Sequence, residues 1–315
     1  MQTDVVTGAF GYSGAAIARE LLASGHQVRT LTGHPSRAAA GTPVDARPMN
    51  FGDPDALARD LKGARTLYCT YWIRFPHGSA THKAAVANLR TLFGAAARAD
   101  VERIVHISIT HADPSSPYPY FRGKGEVEGF LADSGVSHAI VRPAILFGGN
   151  GVLLNNIAWL LRRLPVFAIG GSGDYRIRPI HVADLARLCV DLGARSDNVT
   201  VDAVGPESLP FRDMVDAIKA ATGSRALIVP APGWAIPPVS RVLGLMLRDV
   251  LLTGEEYQAM AAGLADSAAP ASGTTVLTDW IASHGDALGR TYANELSRHY
   301  RLCHSAAAGS DEGHS

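Results

Sequence analysis

A glycine-rich run at the start of the chain constrains the fold most strongly. Residues 4–7 are typical of a short strand, glycines follow at positions 8, 11 and 14, and a helical stretch continues to Ser24. This order is typical of a dinucleotide site, because the three glycines permit a tight turn, a close approach of backbone N–H groups to a pyrophosphate, and packing of the helix on the strand. The helix N-terminus also favours phosphate. An ordinary tight turn between a strand and a helix is the alternative. The residues predicted to contact the nucleotide here are Gly8, Phe10, Gly11, Tyr12, Ser13 and Gly14.

Strand and helix signals alternate through the first half of the chain. Asp53 followed by Pro54 predicts a helix start, with the aspartate as the N-cap and the proline in the first turn. Further strands are predicted at 26–31, 66–70, 104–108 and 138–141, and further helices at 81–99 and 120–133. This rhythm predicts an α/β fold with a doubly wound parallel sheet, whose ligand lies at the carboxyl ends of the strands.

The rhythm weakens after about residue 147. We expect a Rossmann domain over 1–146, a smaller and mainly helical substrate lobe over 147–303 that interleaves with the last sheet strands, and a disordered tail over 304–315. Helices are predicted at 152–164, 183–193, 211–222, 239–252 and 286–301. The helix at 239–252 is broadly apolar, and we expect it to be buried in the lobe; a membrane-surface or partner-binding helix is the alternative.

The charge balance and the cysteine content indicate which classes of partner, metal site and compartment to expect. The 29 basic and 29 acidic residues cancel, so no net field favours nucleic acid or an anionic membrane. The three cysteines, Cys69, Cys189 and Cys303, have no metal-type spacing, so no metal site and a reducing compartment are expected. No apolar run reaches the roughly 18–20 residues of a membrane span, and no signal peptide is visible. We therefore expect a cytoplasmic protein that acts on a small molecule, with membrane interaction not expected and the oligomeric state left open.

The residue pair with the most specific chemistry is Tyr120 and Lys124, four apart at the start of a predicted helix. A lysine one turn from a tyrosine stabilises the phenolate and lowers the phenol pKa from its usual value near 10, so that the tyrosine can exchange a proton with a substrate oxygen. An exposed tyrosine beside a solvated lysine is the alternative. Ser108 and Thr110, at the end of the preceding strand, are candidate hydroxyl partners or local caps. His111 is interpreted as a loop residue.

The segment after the second strand bears on coenzyme choice. An NAD-preferring site places an acidic residue there for the ribose 2′-hydroxyl, and residues 31–37 contain none. Gly33 leaves room for a 2′-phosphate, and His34 or Arg37 can supply positive charge. The sequence therefore predicts NADP as the cofactor, with NAD possible.

Several motifs together resemble the extended and atypical short-chain dehydrogenase/reductases. These are the glycine run, the 107–110 strand end, Tyr120-x3-Lys124, Arg142-Pro143-Ala144 and the 179–185 segment. The chain is most similar to the NAD-dependent epimerase/dehydratase group and to the branch containing the NADPH-binding accessory subunit of respiratory complex I. The resemblance implies hydride transfer to or from a carbonyl or alcohol carbon; a non-catalytic NADPH-binding regulatory or structural protein is the alternative.

The resemblance also implies roles for individual residues. Tyr120 would be the acid/base, Lys124 would also hold the nicotinamide ribose, and Thr110 or Ser108 would be the hydroxyl partner. The remaining implied contacts are Pro143 at the nicotinamide, Asn50 and Phe51 at the adenine, and Thr70, Tyr71 and Trp72 near the cofactor or substrate. The segment from His181 to Asp184 is expected to dock the lobes and cap a helix. The chain departs from the family at Ala85, where the catalytic asparagine is expected; Asn88 lies about one turn on.

Overall fold

The computed structural model describes residues 3–299, so the predicted tail at 304–315 and Cys303 lie outside the described residues. The strands are β1 (Thr3–Thr7), β2 (Gln27–Thr32), β3 (Val44–Pro48), β4 (Ala64–Cys69), β5 (Arg103–Ile107), β6 (Ser137–Pro143), β7 (Leu146–Phe147), β8 (Val166–Gly170), β9 (Arg176–Ile177), β10 (Ile180–His181), β11 (Val199–Ala203), β12 (Leu209–Pro210) and β13 (Leu227–Ala231). The helices are α1 (Tyr12–Ala23), α2 (Pro54–Leu61), α3 (His82–Arg98), α4 (Pro119–Asp133), α5 (Val152–Arg163), α6 (Val182–Gly193), α7 (Phe211–Thr222), α8 (Ile236–Leu247), α9 (Gly254–Ala261), α10 (Leu277–His284) and α11 (Glu295–His299).

A seven-stranded parallel sheet in the order β11-β6-β5-β4-β1-β2-β3 forms the centre of the fold. The chain winds outward from β1 in one direction through β2 and β3, and in the other from β4 onward. The strand order reverses between β1 and β4, which is where such sheets bind ligands outside the carboxyl ends of their strands. The predicted doubly wound parallel sheet is confirmed.

Helices cover both faces of this sheet. On one face α1 and α6 bury Ile17, Leu21 and Leu185 against the strands. On the other face α2, α3 and α4 bury a second cluster, which includes Leu89 and Leu131. Asp53 caps α2 as predicted, because its carboxylate accepts a hydrogen bond from the Ala56 N–H at 2.9 Å.

The described residues divide into two compact units. The first comprises the chain up to Gly151 together with 176–209 and 262–280, and it contains the seven-stranded sheet. The second comprises 152–175, 210–261 and the chain from 281 onward, and it is mainly helical, with the parallel pair β8 and β13. None of the helices within residues 3–299 is both long and apolar enough to cross a bilayer.

Two predictions about helices are wrong, the first on burial and the second on extent. The helix predicted at 239–252 is α8, and its large apolar residues are not buried: Leu245 is 73% exposed and Met246 is 77% exposed. Of the helix predicted at 286–301, the described part is helical only in α11. The residues before it form turns, because Gly289 adopts a left-handed φ of 69°, and the Arg162 guanidinium on α5 donates to the Leu288 carbonyl at 2.8 Å.

Candidate cofactor and catalytic site

The glycine-rich turn joins β1 to α1 and leaves the helix N-terminus open to an anion. Gly8 adopts a left-handed φ of 64°, and its N–H donates to the Leu31 carbonyl on β2 at 2.8 Å. A Cβ atom on Gly14 would lie 2.3 Å from the Gly8 carbonyl oxygen, so only glycine fits there. The first turn of α1 carries no acidic residue, and its N–H groups have no intrahelical acceptors. This geometry fits a pyrophosphate.

The other residues predicted along this turn have different surroundings. The Tyr12 hydroxyl donates to the Gly148 carbonyl at 2.8 Å, so its side chain ties α1 to the loop after β7. The Phe10 and Tyr12 rings pack partly buried on the core. Ser13 lies in the first turn of α1, where its backbone N–H faces the same end of the helix.

The end of β2 forms the part of the site predicted to bind the adenosine. Thr32 is buried, and its hydroxyl accepts from the His34 N–H at 3.2 Å. Gly33 is exposed, and a Cβ atom placed on it meets no atom within 4 Å. Arg37 closes a short 3-10 turn, Pro35–Arg37. The position of Gly33 is therefore open, and its use by a ribose 2′-phosphate stays a prediction.

Strand β3 brings a second segment to the same edge. The Met49 N–H donates to the Thr32 carbonyl at 2.9 Å, so Asn50 and Phe51 follow directly beside the end of β2. The Asn50 side-chain oxygen accepts from the Gly52 N–H at 3.0 Å. The Phe51 ring lies 4.8 Å from the Tyr71 ring, centre to centre. The two rings are tilted by 53° to each other, and Phe51 stays the predicted contact of the adenine.

Thr70 and Tyr71 are held at the carboxyl end of β4 by Thr7 of β1. The Thr70 hydroxyl donates to the Thr7 carbonyl at 2.6 Å, and the Thr7 hydroxyl accepts from the N–H groups of Thr70 and Tyr71. The Asn88 amide donates to the Tyr71 hydroxyl at 2.8 Å, while Ala85 one turn before it is buried. Asn88 is therefore occupied with Tyr71. Burial raises the Tyr71 pKa.

Tyr120 and Lys124 lie in the first two turns of α4, with Pro119 at the start of the helix. Lys124 is 2% exposed, and its Nζ atom donates to the Ile107 carbonyl at 2.7 Å. Burial lowers its pKa to about 7, and this outweighs the opposing effects of Cys69 and Glu128. Glu128 in turn forms a two-pronged ion pair with Arg142.

An aromatic cluster surrounds the pair, and sequence reasoning missed one member of it. The Trp72 ring lies edge-on to the Tyr120 ring at 5.8 Å, and the Lys124 Nζ atom sits over its face, 4.5 Å from the centre. The His82 ring stacks on Trp72 at 6.0 Å and meets Tyr120 edge-on at 5.6 Å. The one available signal for His82 is its place directly after Thr81, which caps α3.

The two candidate hydroxyls differ in their surroundings. Thr110 is fully buried and donates to the Leu264 carbonyl at 2.9 Å. Ser108 is also buried, and its hydroxyl makes no hydrogen bond within the described part of the chain. The backbones of both pair with β6, and the Thr110 N–H donates to the Pro143 carbonyl at 3.1 Å. Ser108 is thus the candidate hydroxyl whose hydrogen-bonding capacity is unused within residues 3–299.

Two further predicted segments hold the first unit together. His181 caps α6, because its Nδ1 atom accepts from the Ala183 N–H at 3.2 Å. The Asp184 carboxylate accepts from the N–H groups of Thr274 and Thr275 at 3.0 and 2.8 Å. His111 is exposed, and its Nε2 atom contacts the Asp266 carbonyl at 2.8 Å.

Comparison with known proteins identifies the cofactor class. Residues 8–158 match a protein family described as NAD(P)H-binding. The chain is 25% identical over 167 residues to the NADH-ubiquinone oxidoreductase 40 kDa subunit of Neurospora crassa, which covers 52% of this chain and 43% of that protein. The chain thus spans less than half of that relative's length. It is also 26% identical to sterol demethylase protein B of Methylococcus capsulatus, over 75% of this chain and 78% of that protein.

A solved structure supports the fold. The triphenylmethane reductase of Citrobacter sp., complexed with NADP(H), has a TM-score of 0.74 at 18% identity and covers 90% of this chain and 100% of that chain. At this identity the likeness shows the fold. The predicted similarity to NAD(P)-binding Rossmann proteins and to the complex I subunit is confirmed, and so is an NAD(P) cofactor.

Proposed function

We propose that this chain is an NAD(P)-dependent oxidoreductase of the short-chain dehydrogenase/reductase type, because residues 8–158 match the NAD(P)H-binding family. It transfers hydride to or from a carbonyl or alcohol carbon of a small molecule, and an epimerase would use the same step twice. The observation that carries the proposal is the pair Tyr120 and Lys124 in the first turns of α4, with the Lys124 Nζ atom on the carbonyl of Ile107, the residue before Ser108. The Ser108 hydroxyl makes no hydrogen bond within residues 3–299.

Each residue has a chemical task. The nicotinamide supplies or accepts the hydride when it is bound. Tyr120 gives its phenolic proton to the substrate oxygen in the reductive direction and takes it back in the oxidative one. Lys124, when protonated, stabilises the phenolate that remains. Ser108 donates a hydrogen bond to the same substrate oxygen and holds it near the phenol.

A second candidate function is binding of NADPH without turnover. Three observations favour it: Thr110 is committed to the Leu264 carbonyl, position 85 carries alanine, and the chain resembles a subunit of NADH-ubiquinone oxidoreductase. Lys124 also has the Ile107 carbonyl and the Trp72 ring as partners without any substrate. In this role the chain binds NADPH but does not transfer its hydride to a substrate.

One experiment separates the two functions. The purified chain is mixed with NADPH and a panel of aldehydes, ketones, quinones and nucleotide sugars, and loss of the reduced nicotinamide absorbance is followed. The proposal expects at least one compound to be reduced over many cycles per protein molecule. Tight binding of NADPH with no turnover on any class of the panel would favour the second function. Mass spectrometry of ligands that purify with the chain guides the choice of panel.

A further inference from the structure

The second unit carries a concentrated apolar surface. Every large hydrophobic side chain found exposed in the described part of the chain lies there, on β8, β13, α8 or the short 3-10 turn before α8. We use the name apolar patch for its helical part, which consists of Trp234, Val239, Val242, Leu245 and Met246. Their exposed fractions are 80%, 48%, 59%, 73% and 77%. Isolated exposed apolar residues are ordinary, but a contiguous group of this kind marks an interaction surface.

Helix α8 is turned so that its small residues face inward. Gly244 is buried, and a Cβ atom on it would lie 2.6 Å from the Asp249 carbonyl oxygen. The Ser240 hydroxyl accepts from the Leu252 N–H at 3.1 Å and donates to the Leu252 carbonyl at 2.9 Å. The glycine and the serine therefore pack against the returning chain, and Ile236 is buried as well, whereas Val239, Val242, Leu245 and Met246 are exposed.

The charges on the segment that carries the apolar patch have one sign, whereas Glu255 and Glu256 lie on α9, which packs on α8. Residues 224–248 contain three arginines, Arg225, Arg241 and Arg248, and no aspartate or glutamate. All three arginines are exposed. The next acidic residue, Asp249, is 7% exposed, and its carboxylate accepts from the Tyr292 hydroxyl and from the N–H groups of Glu295 and Leu296. The Asp249 carboxylate is therefore buried and stabilised by hydrogen bonds within the second unit.

We propose that the apolar patch binds the surface of an anionic phospholipid bilayer, with α8 lying in the plane of the interface. An apolar helix face with tryptophan at its edge and arginines beside it has the composition of such interfacial helices. The arginines would lie at the level of the lipid phosphates. A second copy fits less well, because a two-fold contact through this face would bring the exposed Arg241 of both copies together. This inference is independent of the proposed function.

Vesicle co-sedimentation of the full chain tests the proposal. We expect the chain to sediment with vesicles of phosphatidylcholine and phosphatidylglycerol, more weakly with phosphatidylcholine alone, and less as salt is added. The double change Leu245→Ser with Met246→Ser should lower partitioning at least about tenfold. Arg241→Gln and Arg248→Gln should each lower binding to the anionic vesicles roughly fivefold. The control Arg59→Gln removes an arginine that is 70% exposed on α2 of the first unit and should change nothing.

Two further readouts make the outcome decisive. Trp234 emission should shift to shorter wavelength with anionic vesicles, and Trp234→Phe should remove the shift. Melting temperature and NADPH affinity should be the same in all variants, because each changed side chain is exposed. The proposal is overturned if the parent binds neither kind of vesicle, or if the serine variant binds as the parent does. A parent that binds no vesicle but forms a dimer that the serine variant dissociates would assign the face to a second copy.

Discussion

The Lys124 ammonium lies over the face of the Trp72 ring, 4.5 Å from its centre, and donates its hydrogen bond to a backbone carbonyl. A ring face and a carbonyl both attract a cation, but neither carries a full negative charge. The side chain is almost completely buried, so loss of hydration outweighs these attractions and lowers the pKa to about 7. The lysine is thus poised between its charged and neutral forms at neutral pH.

This pKa makes stability depend on pH. Lys124 binds fewer protons in the folded chain than in the unfolded chain between about pH 7 and its ordinary value of 10.5. The free energy of unfolding of the parent should therefore rise with pH across this window, relative to Lys124→Met, by a few kcal/mol, about 1.4 for each unit of the shift. Urea unfolding at a series of pH values measures it. The exposed Lys83→Met provides the control, and a constant difference between Lys124→Met and the parent would be evidence against the buried charge.

Removing the hydroxyl of Thr110 and removing that of Ser108, both just after β5, should have different effects on stability and on catalysis. Thr110→Val leaves the half-buried Leu264 carbonyl without its donor, so the free energy of unfolding should fall by about 0.5–1.5 kcal/mol. Ser108→Ala removes a hydroxyl with no partner among residues 3–299, so stability should be nearly unchanged while kcat falls. Denaturant unfolding and steady-state kinetics on both variants check this. The reverse pattern would assign the substrate contact to Thr110.

Gly11→Val should remove nucleotide binding. The φ of Gly11 is −90°, which a branched residue tolerates, but its Cβ atom would lie 3.2 Å from the Gly8 carbonyl oxygen and would cover the N-terminus of α1. We expect NADPH affinity to fall at least about tenfold by calorimetry, since the pyrophosphate loses its close approach. Gly94→Ala, in open space on α3, is the matched control. Unchanged affinity in Gly11→Val would mean that the turn does not hold the pyrophosphate.

The open space at Gly33 should favour NADPH over NADH. We expect NADPH to bind more tightly than NADH by about 1–2 kcal/mol, comparable to a charge-assisted hydrogen bond. Arg37→Ala should reduce the difference, and Gly33→Arg should enlarge it, because the new guanidinium has room and can pair with a 2′-phosphate. Dissociation constants measured at one salt concentration decide it. Equal affinities for both nucleotides, with no effect of Arg37→Ala, would contradict the prediction.

The sequence predicted the central sheet because its signals are local. The glycine run, the Asp53 cap and the apolar strands each report on their own few residues, and the parallel order follows from their alternation. Strand β3 escaped prediction because it is a sheet edge whose middle residues, Asp45 and Arg47, are polar and pair with each other. The placement of Tyr120 and Lys124 one turn apart on one helix also depends only on neighbouring residues, and it was predicted from the sequence.

What depends on distant contacts was not predictable. An apolar pattern such as that of α8 does not say whether its face points inward or outward, because contacts with later parts of the chain decide this, among them the Asn294 amide, which donates to the Leu247 carbonyl at 3.3 Å. Likewise, Ser108 and Thr110 are equivalent in sequence. They differ in the structure because only Thr110 reaches the carbonyl of Leu264, 154 residues along the chain.

The rate of hydride transfer in Tyr120→Phe tests the central claim most directly. With a substrate from the panel, we expect kcat to fall at least about a hundredfold while the NADPH dissociation constant stays within about twofold, because only the proton donor is lost. Tyr118→Phe, the same change in the residue that precedes α4, should retain the parent's rate. A Tyr120→Phe rate within about threefold of the parent would contradict the account, since the substrate oxygen would then take its proton from another group.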